Sequence, residues 1–210
     1  MKNKVLAFVI CRLNSQRLRN KMIKKINNKR IIDIVITRLK QTKMIDEIIL
    51  LTSDKKIDNK FIDIAKNHKI KIFRGSEHNV LNRINSSLRK INFNYKFIVR
   101  ANGDCPLLMP NIIDADIRKF IKSNHDLYSP FYYKKKPFGF SFVIFKRHTL
   151  LKIEKKTKKK KYLEHIENYC FDNNDNFKIL KNNITKLSKY YCPKLKLVLD
   201  TKDDFQKIKY

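Results

Sequence analysis

Phe97-Ile98-Val99-Arg100-Ala101-Asn102-Gly103-Asp104-Cys105-Pro106-Leu107 runs from an apolar stretch into a Gly-Asp pair and a proline. A buried parallel strand delivers a carboxylate in this way to the carboxyl edge of a sheet, where open α/β folds place their ligands. Leu195-Lys196-Leu197-Val198-Leu199-Asp200-Thr201 repeats the pattern near the C-terminus and predicts a second strand-end carboxylate. Thr201 and Asp204 have the spacing of a capping pair, which leaves Asp200 spare. Two spare carboxylates converging on a phosphate site make the hard-oxygen arrangement that magnesium prefers.

Upstream of this stretch, strand and helix patterns alternate. Val5–Ile10 is apolar and β-rich, and Ile31, Ile32, Ile34, Val35, Ile36 and Leu39 then recur at helical spacing. Ile48–Thr52 is the next strand, followed by a helix over about Asp58–His68 and a short strand, Ile70–Phe73, stopped at Arg74-Gly75. Val80, Leu81, Ile84, Leu88 and Ile91 mark a third helix, and Pro110 opens a fourth. The order predicts an α/β fold with a doubly wound, mostly parallel sheet. After this, Leu127–Tyr133 and Phe138–Phe145 read as two strands around a basic turn. Their aromatic density predicts a second packing face, a substrate wall or a dimer arm. A helix beginning near Tyr162 carries Glu164-His165, the one suggestive histidine pair.

With 210 residues and 42% hydrophobic residues, one domain with a substantial core is expected. No window approaches the ~20 apolar residues that span a bilayer. The short run after Met1-Lys2-Asn3-Lys4 is closed by Arg12 and reads as a first core strand, not a signal peptide. Cys11, Cys105, Cys170 and Cys192 have no zinc or CxxC spacing and suit reduced thiols of a cytoplasmic protein. The net charge of +30 accompanies only 3 Gly and no Trp. Together with the crowding of Lys, Asn and Ile, this is the bias of an AT-rich coding sequence. It implies affinity for anions, with no specific nucleic-acid partner expected.

The loop after the first strand, Cys11-Arg12-Leu13-Asn14-Ser15-Gln16-Arg17-Leu18-Arg19-Asn20-Lys21, gathers guanidiniums, a lysine and a hydroxyl at the carboxyl edge. Such a set can neutralise a nucleoside triphosphate. Asn14 and Asn20 stand where glycines usually let the backbone approach phosphate, and asparagine tolerates φ > 0 best among the other residues. A solvated basic turn is the alternative.

These segments resemble, in order and along essentially the whole chain, the cytidylyltransferase family. That family includes the spore-coat-polysaccharide-type enzymes and the related CMP-sialic acid and CMP-Kdo synthetases. Its R-x-G-S-x-R-L-P-G-K loop is matched by Arg12 to Lys21, and its LIDEIVVATTD strand by Met44 to Asp54. VFRGSEDDVLxR is matched by Ile72 to Arg83, RxxGDCPL by Arg100 to Leu107, EHV by Glu164-His165-Ile166, and LTVDTPEDF by Leu197 to Phe205. The resemblance implies a three-layer fold of the nucleotide-diphospho-sugar transferase type. The division it implies is a nucleotide-binding half, 1–125, and an acceptor and dimerisation half, 126–210, which includes the final metal-ligand strand. It implies a reaction in which a sugar or sugar-acid hydroxyl attacks the α-phosphate of CTP and releases pyrophosphate, for surface polysaccharide synthesis, in a homodimer. Carried over, Arg12, Ser15, Arg17 and Lys21 hold phosphates, Arg74 and Asn102 line the cytidine pocket, and Asp104 and Asp200 hold Mg²⁺; Lys21, Asp104 and Asp200 are the catalytic set. Three departures stand out: Asn14, Arg19 and Asn20 replace two glycines and a proline. On the sugar side the family's GLDVEVF becomes Gly139 to Phe145, with Ser141 and Val143 in place of acidic groups. Rival readings are a relative using another nucleotide, or a degenerate member that binds nucleotides or polyanions without turnover.

Overall fold

The computed structural model describes residues 4–130, 142–180 and 194–209. The elements are β1 (Val5–Ile10), β2 (Lys25–Ile26), β3 (Lys29–Arg30), α1 (Ile31–Lys40), β4 (Glu47–Ser53), α2 (Lys60–Asn67), β5 (Lys71–Gly75), α3 (Val80–Lys90) and β6 (Phe97–Asn102). They continue with α4 (Pro110–Lys122), β7 (Leu127–Tyr128), β8 (Phe142–Lys146), α5 (Arg147–Lys156), α6 (Lys160–Glu164), α7 (Glu167–Asp172), β9 (Ile179–Leu180) and α8 (Lys202–Lys209).

Among the described residues, seven strands form one mixed sheet in the order β5-β4-β1-β6-β8-β7-β9. β1 is flanked in parallel by β4 and β6, and β4 pairs in parallel with β5. β8 runs antiparallel to both β6 and β7, and β7 pairs in parallel with β9. The expected α/β architecture with a mostly parallel sheet is therefore observed.

The layers follow from the period of two along β1. Val5, Ala7 and Val9 pack with Val35 and Leu39 of α1 and Ile113, Ile117 and Phe120 of α4. Leu6 and Phe8 pack on the other face with Leu81, Ile84 and Leu88 of α3 and Leu150 and Ile153 of α5. A strand buried on both faces reads as a continuous apolar run, which is why Val5–Ile10 lacks alternation. No helix among the described residues is long and apolar enough to cross a membrane.

Three local expectations are corrected. Among the described residues the Leu195–Asp200 segment forms no strand of the sheet, only a single bridge residue at Lys196, and Asp200 sits in irregular chain just ahead of α8. An extended, alternating polar–apolar segment looks the same in sequence whether or not it finds a pairing edge. The helix expected over Asp58–His68 begins at Lys60, because Lys56–Asn59 forms a 3₁₀ turn that buries Asp58. His165 lies just past the end of α6 instead of within it. The two strands around the basic turn appear as the antiparallel pair β7 and β8. Residues 131–141, which hold most of the expected dimer arm together with Ser141, lie outside the described residues, as does Cys192.

Candidate active site

The carboxyl ends of β1 and β6 open into a cleft of about 910 Å³. The loop after β1 is tied down by the buried carboxylate of Asp58. Asp58 accepts from the Leu13 N–H at 2.8 Å, and its other oxygen accepts from the Ser53 hydroxyl at 2.5 Å and the Ser53 N–H at 3.3 Å. Of the two asparagines in the loop, Asn20 takes the left-handed conformation, with φ 55°, and leads into a short 3₁₀ turn, Lys21–Ile23. Asn14 does not adopt positive φ; its amide instead donates to Glu77 Oε1 at 2.9 Å.

The turn drives Lys21 inward until it is 8% exposed. Its Nζ lies 2.5 Å from Asp104 Oδ2 and 3.3 Å from Asp200 Oδ1. Burial alone would lower the affinity of this amine for its proton. The two carboxylates outweigh burial and hold the ammonium above its ordinary range. Asp104 is aimed by the end of β6, where the Gly103 N–H donates to Ile10 O at 2.9 Å. A Cβ at Gly103 would stand 3.1 Å from that carbonyl oxygen, 3.1 Å from Met22 Sδ and 3.0 Å from Ile32 Cδ1. Glycine is required here by close approach, not by backbone sign.

Asp200 is held by polar contacts. The Leu199 N–H donates to Asp104 O at 3.1 Å, so the two carboxylate-bearing segments touch through backbone. The expected capping pair is present: the Thr201 N–H donates to Asp204 Oδ2 at 2.9 Å, and the Asp204 N–H donates to Thr201 Oγ1 at 3.2 Å. The same Asp204 oxygen accepts from the Asp200 N–H at 3.1 Å and from Lys196 Nζ at 2.7 Å. Burial would raise the Asp204 carboxyl; Lys196 and the Thr201 contacts overcome it and bring it down to about 2. Arg17, mostly exposed, reaches Asp200 Oδ1 at 3.2 Å.

On the α3 side, Arg12 pairs with Glu164 at 3.0 Å. Arg100, on β6, pairs with Glu167 of α7 at 3.2 Å and donates to Glu164 O at 3.0 Å. Arg83 of α3 also lines the cleft and is 1% exposed.

Of the residues singled out from sequence, Arg12, Ser15, Arg17, Lys21, Asn102, Asp104 and Asp200 all line this cleft, as do Glu164 and His165. Arg74 is placed elsewhere: it is not among the lining residues, and its guanidinium donates to Ser53 O at 3.1 Å and Lys55 O at 3.0 Å. Sequence reasoning gave no role to Glu77, Arg83 or Glu167. For Arg83 a signal existed, since Val80, Arg83, Ile84, Ser87 and Leu88 share the inward stripe of α3 and arginine is out of place on it. Among the described residues no cluster of three or more His, Cys, Asp or Glu forms a preset metal cage. The two carboxylates are the pair available.

A family model described as "Cytidylyltransferase" matches residues 6–210. The uncharacterized protein MJ1063 of Methanocaldococcus jannaschii is 32% identical over 203 residues, covering 97% of this chain and 81% of the relative. The spore coat polysaccharide biosynthesis protein SpsF of Bacillus subtilis is 27% identical over 157 residues, 72% of this chain and 62% of that protein. The solved structure of a cytidylyltransferase from Leptospira borgpetersenii superposes with a TM-score of 0.86 at 25% identity, covering 98% of this chain and 84% of that one.

Proposed function

From the premise that this chain belongs to the cytidylyltransferase family, whose model it matches over residues 6–210, we propose that it transfers CMP from CTP to a hydroxyl of a sugar or sugar-acid. The observation that carries the reading is the meeting of Asp104 and Asp200 on one ammonium, in a cleft whose loop supplies Arg12, Ser15 and Arg17. The acceptor oxygen forms a bond to the α-phosphorus, the bond to the β-phosphate bridging oxygen breaks, pyrophosphate leaves and the hydroxyl proton is released. Such a transfer needs in-line placement and charge neutralisation more than covalent chemistry.

Arg12, Arg17 and Lys21 bind the triphosphate, with the Ser15 hydroxyl as a further donor. Asn102, at the end of β6, lines the cytidine side. Asp104 and Asp200 hold Mg²⁺, a role their chemistry fits: both present hard oxygens to one point, Lys21 Nζ, within 3.3 Å. An ion that keeps several waters and shares phosphate oxygens needs no more than two protein carboxylates. When bound, magnesium supplies charge neutralisation at the phosphates. The relation to a spore-coat polysaccharide protein supports a role in surface-glycan synthesis, and a homodimer paired through the second half completes the proposal.

Pyrophosphate release from each of the four NTPs, with magnesium and a panel of nonulosonic and related sugars, tests it. CTP is expected to be the one productive nucleotide. Equal turnover of all four, or none with any acceptor, would overturn the reading.

A further inference from the structure

Three cations and two carboxylates meet on the α3 side of the cleft. Glu164 takes Arg12, and Glu167 takes Arg100. Arg83 is left over. Among the described residues its Nε and Nη1 are buried with no hydrogen-bond partner, and Arg100 Nε is in the same condition. The other carboxylates nearby are committed: Glu77 accepts from Asn14, and both oxygens of Asp58 are taken by Leu13 and Ser53. Burial, ahead of the repulsion from Arg12 and Arg100, holds the Arg83 guanidinium below arginine's ordinary value. A buried cation with orphaned donors is expensive to keep unless something supplies the missing acceptors.

We propose that Arg83, supported by Arg12 and Arg100, receives an oxyanion of a substrate on the α3 side of the cleft, apart from the Lys21–Asp104–Asp200 cluster. The proposal rests on the cleft being the active site of the cytidylyltransferase. Its chemistry is that of a phosphate or carboxylate oxygen accepting from guanidinium donors. Two sources carry that chemistry: a phosphate of the nucleotide, or an acidic group of the acceptor. Arg83 is accordingly a binding residue that sets which substrates fit, and the ligand-free protein holds it at a cost.

That cost makes the test diagnostic in sign. Arg83→Met keeps the length of the side chain and removes the unpaired charge. In ligand-free buffer its Tm is expected to equal or exceed that of the parent, and its apparent Kd for inorganic phosphate, followed by thermal shift, should rise at least tenfold. Arg83→Lys, which keeps the charge but loses the planar donor set, should fold and show a weakened phosphate response. Repeating the phosphate titration with saturating Mg–CTP assigns the source. A response that CTP abolishes marks a nucleotide phosphate, and one that persists marks the acceptor's acidic group. A lowered Tm in Arg83→Met with the phosphate response unchanged in both variants would make Arg83 a packing residue and overturn the proposal. None of these readouts needs turnover, so a failed phosphate response and a failed pyrophosphate release are observed separately.

Discussion

The segment carrying Asp104 and the segment carrying Asp200 meet at one ammonium, yet different forces hold them. Asp104 extends from β6, a strand inside the sheet whose neighbours on both sides fix its path, and Gly103 packs against a β1 carbonyl with no room to spare. Asp200 belongs to irregular chain and is kept in place by Leu199 on the Asp104 carbonyl, by Asp204 on the Asp200 amide and by Lys196. One carboxylate is positioned by packing, the other by a few polar contacts. A sheet-borne group resists local change, whereas a polar-tethered one fails when a single tether is cut.

The largest effect should show both carboxylates to be equal in chemistry. Asp104→Asn and Asp200→Asn are each expected to reduce magnesium-dependent turnover by about a hundredfold or more, with folding intact by circular dichroism. Near-parental rates in either variant would remove that residue from the metal pair. A smaller effect should separate the two segments. Asp204→Ala cuts the cap and the tether to Asp200 while leaving β6 untouched. It should cost about 1 kcal/mol in denaturant unfolding and lower turnover more than it lowers stability; a stability loss with unchanged turnover would mean that Asp200 does not depend on its cap. The smallest effect lies on the sheet side. Asp33, near the start of α1, pairs with Arg30 and His68. Burial acts to raise its carboxyl, and these partners reverse that, so it titrates below its ordinary value of 3.8 in the folded protein. A lowered folded value means that the stabilisation is complete above that ordinary value and is lost as pH falls through the folded one. Asp33→Asn should remove at most about 1 kcal/mol of that acid dependence, measured as Tm between neutral and strongly acidic buffer.

The same contrast explains what could be read in advance. Three of the parallel strands, β1, β4 and β6, and with them Asp104, were legible because burial on both faces writes an apolar run that ends where the chain must turn. Asp200 was legible as a residue but not as a geometry. Its tethers, Asp104 O and Lys196 Nζ, are long-range or non-helical contacts that leave no period in the sequence. Asn14 was misjudged for a related reason: its partner, Glu77, lies far along the chain. Arg83 was overlooked because arginine on a helix is usually solvated, although its register within Val80–Leu88 placed it inward.

The ladder between β6 and β8 bears on how the chain is made. β6 is complete at Asn102, but its outer edge is covered only when Phe142–Lys146 pairs back along it in the opposite direction. A growing chain therefore carries an open, strongly apolar edge, Phe97-Ile98-Val99, until residue 146 has left the ribosome. An exposed edge of that kind templates association with other chains. A fragment cut between the two halves, near residue 125, would keep that edge for good and should be recovered as aggregate, not as a smaller folded protein.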